Sequence, residues 1–301
     1  MMIYHFTKLS SLFGILDSQE LFLGNCNQMN DPLDRTFGID CLRSYVRNGG
    51  KYSQKLKGTL SDADIENALK MSLKIPYYAV SFSKGVNNST LWENYADNYK
   101  GVAIGFDERQ LVSAIDDIIQ HLDAESFTQK SFLELKMITY GYRCDVIDSL
   151  VENYNDNSVN EKIHLAFFAY KLCGMIKSEK GANGEVWANE EEYRLLFKYE
   201  IPQILSRDDA WIQLERLEKE ATIEIFKNLG LYEEQIKVVN GKYYLPLKIG
   251  EIIPGQGSII DHSLKCIYVS ANNPDLLKVK DQIRRKLQAI GKCHIEIDVI
   301  G

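Results

Sequence analysis

The sequence predicts an α+β fold, with mixed, mainly antiparallel sheets and surrounding helices. Apolar segments of period two and of period 3.6 follow one another without regular β-α-β alternation, which argues against a doubly wound parallel sheet. Asn240-Gly241 lies between two strand-like runs, a strong short-range hairpin signal. The 301 residues, 45% hydrophobic and 26% charged, are enough for a substantial core. With six prolines and no Ser/Gly-rich tract, no linker is visible. One domain over 1–301 follows, with helical insertions at about 107–180 and 205–232.

Met2, Tyr4 and Phe6 alternate with Ile3, His5 and Thr7, so residues 2–8 read as a strand with His5 and Thr7 on one face. Thr7 suits an N-cap, because Leu9, Leu12, Phe13 and Leu16 follow at helical spacing. Leu21 to Leu23 is a short strand, and the polar run to Pro32 a loop that turns sharply at Asn30-Asp31-Pro32. A charged helix over 61–74 precedes a buried strand from Tyr77 to Ser83, a short helix from Leu91 to Asn98 and a strand from Val102 to Phe106.

Residues 107 to about 130 are helical, Met137 to Tyr142 a strand, and Asn160 to Lys177 a long helix. The loop Gly181 to Gly184 leads into a strand from Glu192. Arg207 to Leu229 is a charged helix that Gly230 closes. Strands follow on either side of Asn240-Gly241 and from Cys266 to Ser270. A helix from Asn273-Pro274 is stopped by Gly291, and His294 to Ile300 ends the chain.

A net charge of −7 opposes an extended nucleic-acid surface, which needs clustered Lys and Arg. The six cysteines are scattered without a C-x-x-C pair, as expected for reduced thiols in a cytoplasmic protein. No apolar leader and no membrane-spanning run is visible, so no membrane partner is expected.

The candidate chemistry sits at the ends of elements. His5 and Thr7 form an H-x-T pair, and Ser81 and Ser83 share a strand face without the G-x-S-x-G surroundings of a hydrolase nucleophile. Glu190, Glu192 and Arg194 alternate toward the apolar Leu195-Leu196-Phe197. Carboxylates so close repel, which raises a pKa unless Arg194 offsets it. Trp92 and Tyr95, three apart, read as core anchors. Trp187 suits either a stacked ligand or the cover of the sheet. Histidine, cysteine and carboxylate spacing offers no metal motif, and no phosphate loop precedes a helix.

Tyr4-His5-Phe6-Thr7, Met29-Asn30-Asp31-Pro32, Ser81-Phe82-Ser83, Trp92 to Tyr95 with the following Gly-Val-Ala-Ile-Gly-Phe, and Trp187, Glu190, Glu192 and Arg194 occur in an order that resembles bacterial domain-of-unknown-function family 2971 (DUF2971) from about Ile3 to Ser270. Asp34 stands where that family commonly carries Glu. The same pieces also resemble ADP-ribosyltransferase-like domains, which carry H-x-T on an early strand, a serine-bearing middle strand and a glutamate opening a late strand.

That second resemblance implies a split sheet, with NAD as substrate and no metal. It implies that His5, Thr7, Ser81, Ser83, Tyr95 and Arg194 bind the dinucleotide, with Glu192 catalytic and Glu190 its competitor for that place. The implied activity is NAD cleavage with modification of a macromolecular acceptor, in a toxin or phage-defence setting. A non-catalytic nucleotide- or protein-binding sensor is the alternative, its partner surface on the helix Arg207 to Leu229. A metal-dependent hydrolase or nuclease using Glu190, Glu192 and Asp31 is the third reading.

Overall fold

A computed structural model describes residues 1–28, 33–74, 77–115, 131–152, 161–181, 186–199, 237–249 and 259–301. In chain order the elements are β1 (Met2–Thr7), α1 (Leu9–Ser18), β2 (Glu20–Asn25), α2 (Thr36–Arg47), α3 (Ser53–Lys57), α4 (Asp62–Lys74), β3 (Tyr78–Ser83), α5 (Ser89–Asn94) and β4 (Val102–Asp107). Then come α6 (108–115), β5 (Ser131–Met137), β6 (Thr139–Tyr140), α7 (Cys144–Glu152), α8 (Glu161–Cys173), β7 (Ile176–Lys177) and β8 (Glu192–Tyr199). The last are β9 (Lys237–Val239), β10 (Lys242–Lys248), α9 (Ile259–Ser263), β11 (Leu264–Ser270), α10 (Leu276–Ala289) and β12 (Glu296–Ile300).

Ten strands form one sheet, in the order β12-β11-β4-β1-β3-β2-β10-β9, with β8 on β3 and β5 on β8. Among the described residues every pairing in it is antiparallel except β11 with β12, as the α+β reading expects. The sheet forks at β3. One edge of β3 carries β8 from Tyr78↔Phe197 to Ser83↔Glu192. On the other edge β1 reaches only Ser83, through Tyr4, and β2 only Tyr78 and Ala79, through Asn25 and Gly24. Along their other edges β1 runs with β4 and β2 with β10, so among the described residues the edge at Val80, Ser81 and Phe82 has no strand beside it.

Side chains alternate across a strand, so the register assigns each residue to a face. Ile3, Phe82, Ile104 and Phe106 bury themselves on one face in the main core, which also takes in Leu12 and Leu16 of α1 and Val279, Ile283 and Leu287 of α10. On the opposite face Phe6 and Ala103 pack beneath Leu91 and Trp92 of α5. Asn88 caps α5, its side chain accepting from the Leu91 N–H.

Several expectations are corrected. Thr7 is the last residue of β1, paired with Val102. α1 begins at Leu9 behind Lys8, with no side-chain cap. The helix expected to run to Lys177 stops at Cys173, because Gly174 lies against Tyr77, whose hydroxyl would be 1.3 Å from a Cβ there. Ile176–Lys177 then turns into strand. The strand expected over Met137–Tyr142 divides between β5 and β6, and the 107–180 insertion is not purely helical because β5 joins the main sheet. α2 and α3 occupy a stretch with no sequence expectation. The helix Arg207 to Leu229, the 205–232 insertion and Met29 to Pro32 lie outside the described residues.

The hairpin is where the sequence puts it, with Asn240 at φ 52° and Gly241 at φ 75°, as a primed turn requires. All six cysteines are free thiols. Among the described residues no helix is long and apolar enough to cross a membrane.

A Cβ at Gly101 would lie 2.3 Å from the Thr7 carbonyl oxygen and 2.8 Å from that of Ala96, both backbone atoms. Gly101→Ala is therefore expected to cost about 2 kcal/mol or more, as overpacking does. Urea denaturation measures it, and an unchanged midpoint contradicts the close approach.

Candidate functional site

The fork opens a cavity of about 280 Å³, near the lower end of the roughly 300–1,000 Å³ usual for ligand pockets. His5, Ser81, Ser83, Tyr95, Glu190, Glu192 and Arg194 all line it. By register Tyr4 and Phe6, Ser81 and Ser83, and Glu192 and Arg194 share one face of the sheet. His5 belongs to the opposite face and fills the gap beside β3. Its Nδ1 lies 2.9 Å from the Ser81 carbonyl oxygen, a side-chain bond where a ladder bond would otherwise run. That bond assigns the ring proton to Nδ1 and leaves Nε2 an acceptor. Burial pushes the His5 pKa down, against the opposing pull of the Ser81 carbonyl, so the ring is neutral. Thr7 does not line the cavity, so the H-x-T pair contributes only its histidine.

Glu192 is held from three sides. Its Oε1 accepts from Ser81 Oγ at 2.5 Å and from Arg194 Nε at 2.7 Å, and its Oε2 accepts from Arg194 Nη2 at 3.1 Å and Lys177 Nζ at 3.2 Å. Arg194 Nη2 also donates to Asp34 Oδ1 at 2.7 Å. Burial raises the Glu192 carboxyl, but Arg194 and Lys177 more than offset it and hold it down to about 2. Glu190 accepts from Lys177 at 3.1 Å and from the Tyr95 hydroxyl at 3.3 Å. Its pKa is raised, first by burial and further by the Glu192 charge, with Lys177 opposing. Three buried carboxylates thus share two buried cations, and Glu190 carries the strain. The environment pushes neighbouring carboxyls apart in acidity, as in many acid–base sites.

Local structure explains how Glu190 and Glu192 are aimed. Glu190 ends a 3-10 turn, Trp187–Glu190, and is not on the strand as the alternating pattern suggests. Glu191 follows at φ 44°, and β8 starts at Glu192. The loop after β3 anchors this turn: Ser83 Oγ donates to the Glu190 carbonyl at 2.7 Å, the Lys84 N–H to the Glu191 carbonyl at 3.3 Å and Asn88 Nδ2 to the Asn189 carbonyl at 2.6 Å. The Tyr140 hydroxyl accepts from the Glu192 N–H.

Tyr95 lies just past the end of α5 and faces the cavity, whereas Trp92 is buried against Phe6 and donates to the Val86 carbonyl as a core anchor. Trp187 lines the cavity with Lys177 Nζ 4.6 Å from its ring centre, and its buried Nε1 has no hydrogen-bond partner among the described residues. Asp31 lies outside the described residues.

Residues 91–195 match the family model described as protein of unknown function, DUF2971. The resemblance to DUF2971 holds over that segment. The matched DUF2971 segment runs from α5 to the start of β8 and so includes Tyr95, Lys177, Glu190, Glu192 and Arg194. It is shorter than the range the motif order covers. No curated protein and no solved structure matches the chain.

Sequence reasoning missed Lys177, because a lysine at the expected end of a long helix carries no signal. It noted Asp34 only as a departure from the family pattern, yet Asp34 is fully buried as the second partner of Arg194. A separate group, Cys266, Glu296 and Asp298, brings possible ligand atoms within 4.8 Å on β11 and β12, but two of these residues are exposed carboxylates.

Arg194→Leu strands two buried carboxylates and is expected to cost about 3–5 kcal/mol. A loss under 1 kcal/mol in urea titration contradicts the buried network. The acid limb has a definite sign. Glu192 is more acidic folded than unfolded, so its contribution is present above its ordinary value of 4.5 and is lost as pH falls toward about 2. Glu190, with its raised pKa, acts oppositely: its contribution is full below 4.5 and lost as pH rises. Urea stability measured from pH 5 to 2 is expected to fall less steeply in Glu192→Gln than in the unaltered protein. Equal slopes contradict the assignment.

Proposed function

We propose that the protein is an ADP-ribosyltransferase-like enzyme that cleaves the nicotinamide–ribose bond of NAD and passes ADP-ribose to a macromolecular acceptor. The observation that carries this reading is that His5, Ser81, Ser83 and Glu192, distant in sequence, line one cavity where β1 and β2 part along β3. Scission sends the glycosidic electron pair out with nicotinamide and builds positive charge on the ribose. A carboxylate already fixed beside that centre lowers the barrier, because its dipoles need no reorganisation. Glu192 is ionised throughout the neutral range and is oriented by Ser81. The neutral His5 offers Nε2 to a ribose hydroxyl. As the acceptor nucleophile bonds to the ribose carbon, its proton passes to Glu190, whose raised pKa suits a general base.

A second reading, a non-catalytic nucleotide sensor, draws on one specific observation: both oxygens of Glu192 are occupied by Arg194, Lys177 and Ser81, which compensates its charge. Labelled NAD and cell lysate separate the two. Enzyme activity requires nicotinamide release that Glu192→Gln lowers about a hundredfold, the scale of losing one preorganised transition-state contact. Glu190→Gln is expected to lower label transfer more than nicotinamide release. NAD binding without cleavage selects the sensor, and no binding with no release defeats the NAD reading altogether.

A further inference from the structure

The side of the cavity away from Glu192 has features that neither the core nor the hairpin requires. β2 and β10 pair with Gly24 opposite Tyr244 and Phe22 opposite Pro246. Register therefore puts Phe22, Gly24, Lys242 and Tyr244 on one face, continuous with Ala79 and Ser81 of β3. Leu21, Leu23 and Leu245 point to the other face and are buried. The outward face of an antiparallel sheet is normally polar. Here it carries two aromatic rings, Phe22 at 37% exposure and Tyr244 partly exposed, with ring centres 5.8 Å apart and tilted by 37°.

Gly24 is the telling residue. It lies within β2, one residue from its end, without a left-handed φ, so its backbone does not need glycine, and glycine weakens a strand. Packing does not need it either: a Cβ would meet the edge of the Tyr244 ring at 3.7 Å and the Ala79 carbonyl oxygen at 4.0 Å, both ordinary contacts. What glycine supplies is space beside the Tyr244 ring, inside the cavity lining. Lys242, exposed and two residues away on the same face, supplies a cation at the edge of that space. Lys237 does not, because it is taken by Glu20 and the Phe22 ring.

We propose that this face seats the adenosine-phosphate end of the dinucleotide, the base lying on Tyr244 over Gly24 and the phosphate meeting Lys242. The proposal rests on the NAD reading above and names where the rest of the molecule goes. The cavity of about 280 Å³ is lined at one end by His5, Ser81 and Glu192 and at the other by Gly24, Lys242 and Tyr244, so the two ends of a dinucleotide meet different walls of one open recess. A flat aromatic platform with one flexible ammonium is the chemistry that holds a base and its phosphate without sequence-like discrimination.

Calorimetric titration of the full chain with AMP and with NAD tests this, using Gly24→Val and Lys242→Glu. Both sites tolerate the change, since valine favours strand and Lys242 is exposed. AMP is expected to bind and to compete with NAD. Each variant should weaken AMP about tenfold, the scale of a lost base stack or phosphate contact. Glu192→Gln should leave AMP affinity within about threefold, because it lies at the other end of the cavity. Melting temperatures close to that of the unaltered protein verify that the variants fold. AMP binding that neither variant weakens, or NAD binding without AMP binding, overturns the subsite and leaves the NAD reading standing. AMP binding weakened by both variants, with no nicotinamide release, supports the subsite and fails the enzyme reading. No binding of either nucleotide overturns both.

Discussion

The buried guanidinium of Arg194 is the interaction on which the rest of the site depends. It lies on the central strand pair β3–β8, opposite Ser81, and is almost inaccessible to water. A buried cation is tolerable only if its donors are satisfied by charge and hydrogen bonds together. Asp34 and Glu192 provide that, and in doing so tie the segment before α2 to the mouth of β8. The acidity of Glu192 follows from this pairing, and the Glu192 charge it secures adds to burial in raising the Glu190 pKa. An arginine suits this place because its planar fork meets Glu192 with two donors and Asp34 at the same time, a bidentate geometry that a lysine lacks.

The fork in the sheet provides the second constraint. A strand edge with no neighbour is ordinarily a liability, because its backbone groups are left unpaired. β3 resolves this by using His5 as a substitute rung, bonded to the Ser81 carbonyl. The same arrangement creates the recess and fixes the imidazole tautomer, so architecture and chemistry arise together.

Much of the fold was legible because its elements announce themselves locally. The Asn240-Gly241 turn, the period-two run at Met2–Thr7 and the apolar strand Tyr78–Ser83 each carry a self-contained signal. The site was legible in its sheet-borne part for the same reason: strand alternation puts Ser81, Ser83, Glu192 and Arg194 on one face. What was not legible depends on contacts distant in sequence. Asp34 and Arg194 meet across a sequence separation of 160 residues. Thr7 looked like a partner of His5 because they share a strand face, but β1, paired with β4 along its whole length, parts from β3 after Tyr4 and so carries Thr7 away from it. Glu190 was read as strand because its spacing fits, whereas Glu191 at φ 44° breaks the alternation before β8 begins.

Lys177 belongs to β7, which among the described residues pairs only with β6 in a separate two-stranded sheet and follows directly from α8 and Gly174. Its ammonium is therefore mounted on a different sheet from the strands that carry Ser81, Glu192 and Arg194. The charge in the cavity is set jointly by the main sheet and by this small second sheet, which the Ile138 N–H and the Tyr140 hydroxyl tie to Glu192. Two carboxylates and the Trp187 ring thus draw their shared positive charge from outside the sheet that carries the rest of the site.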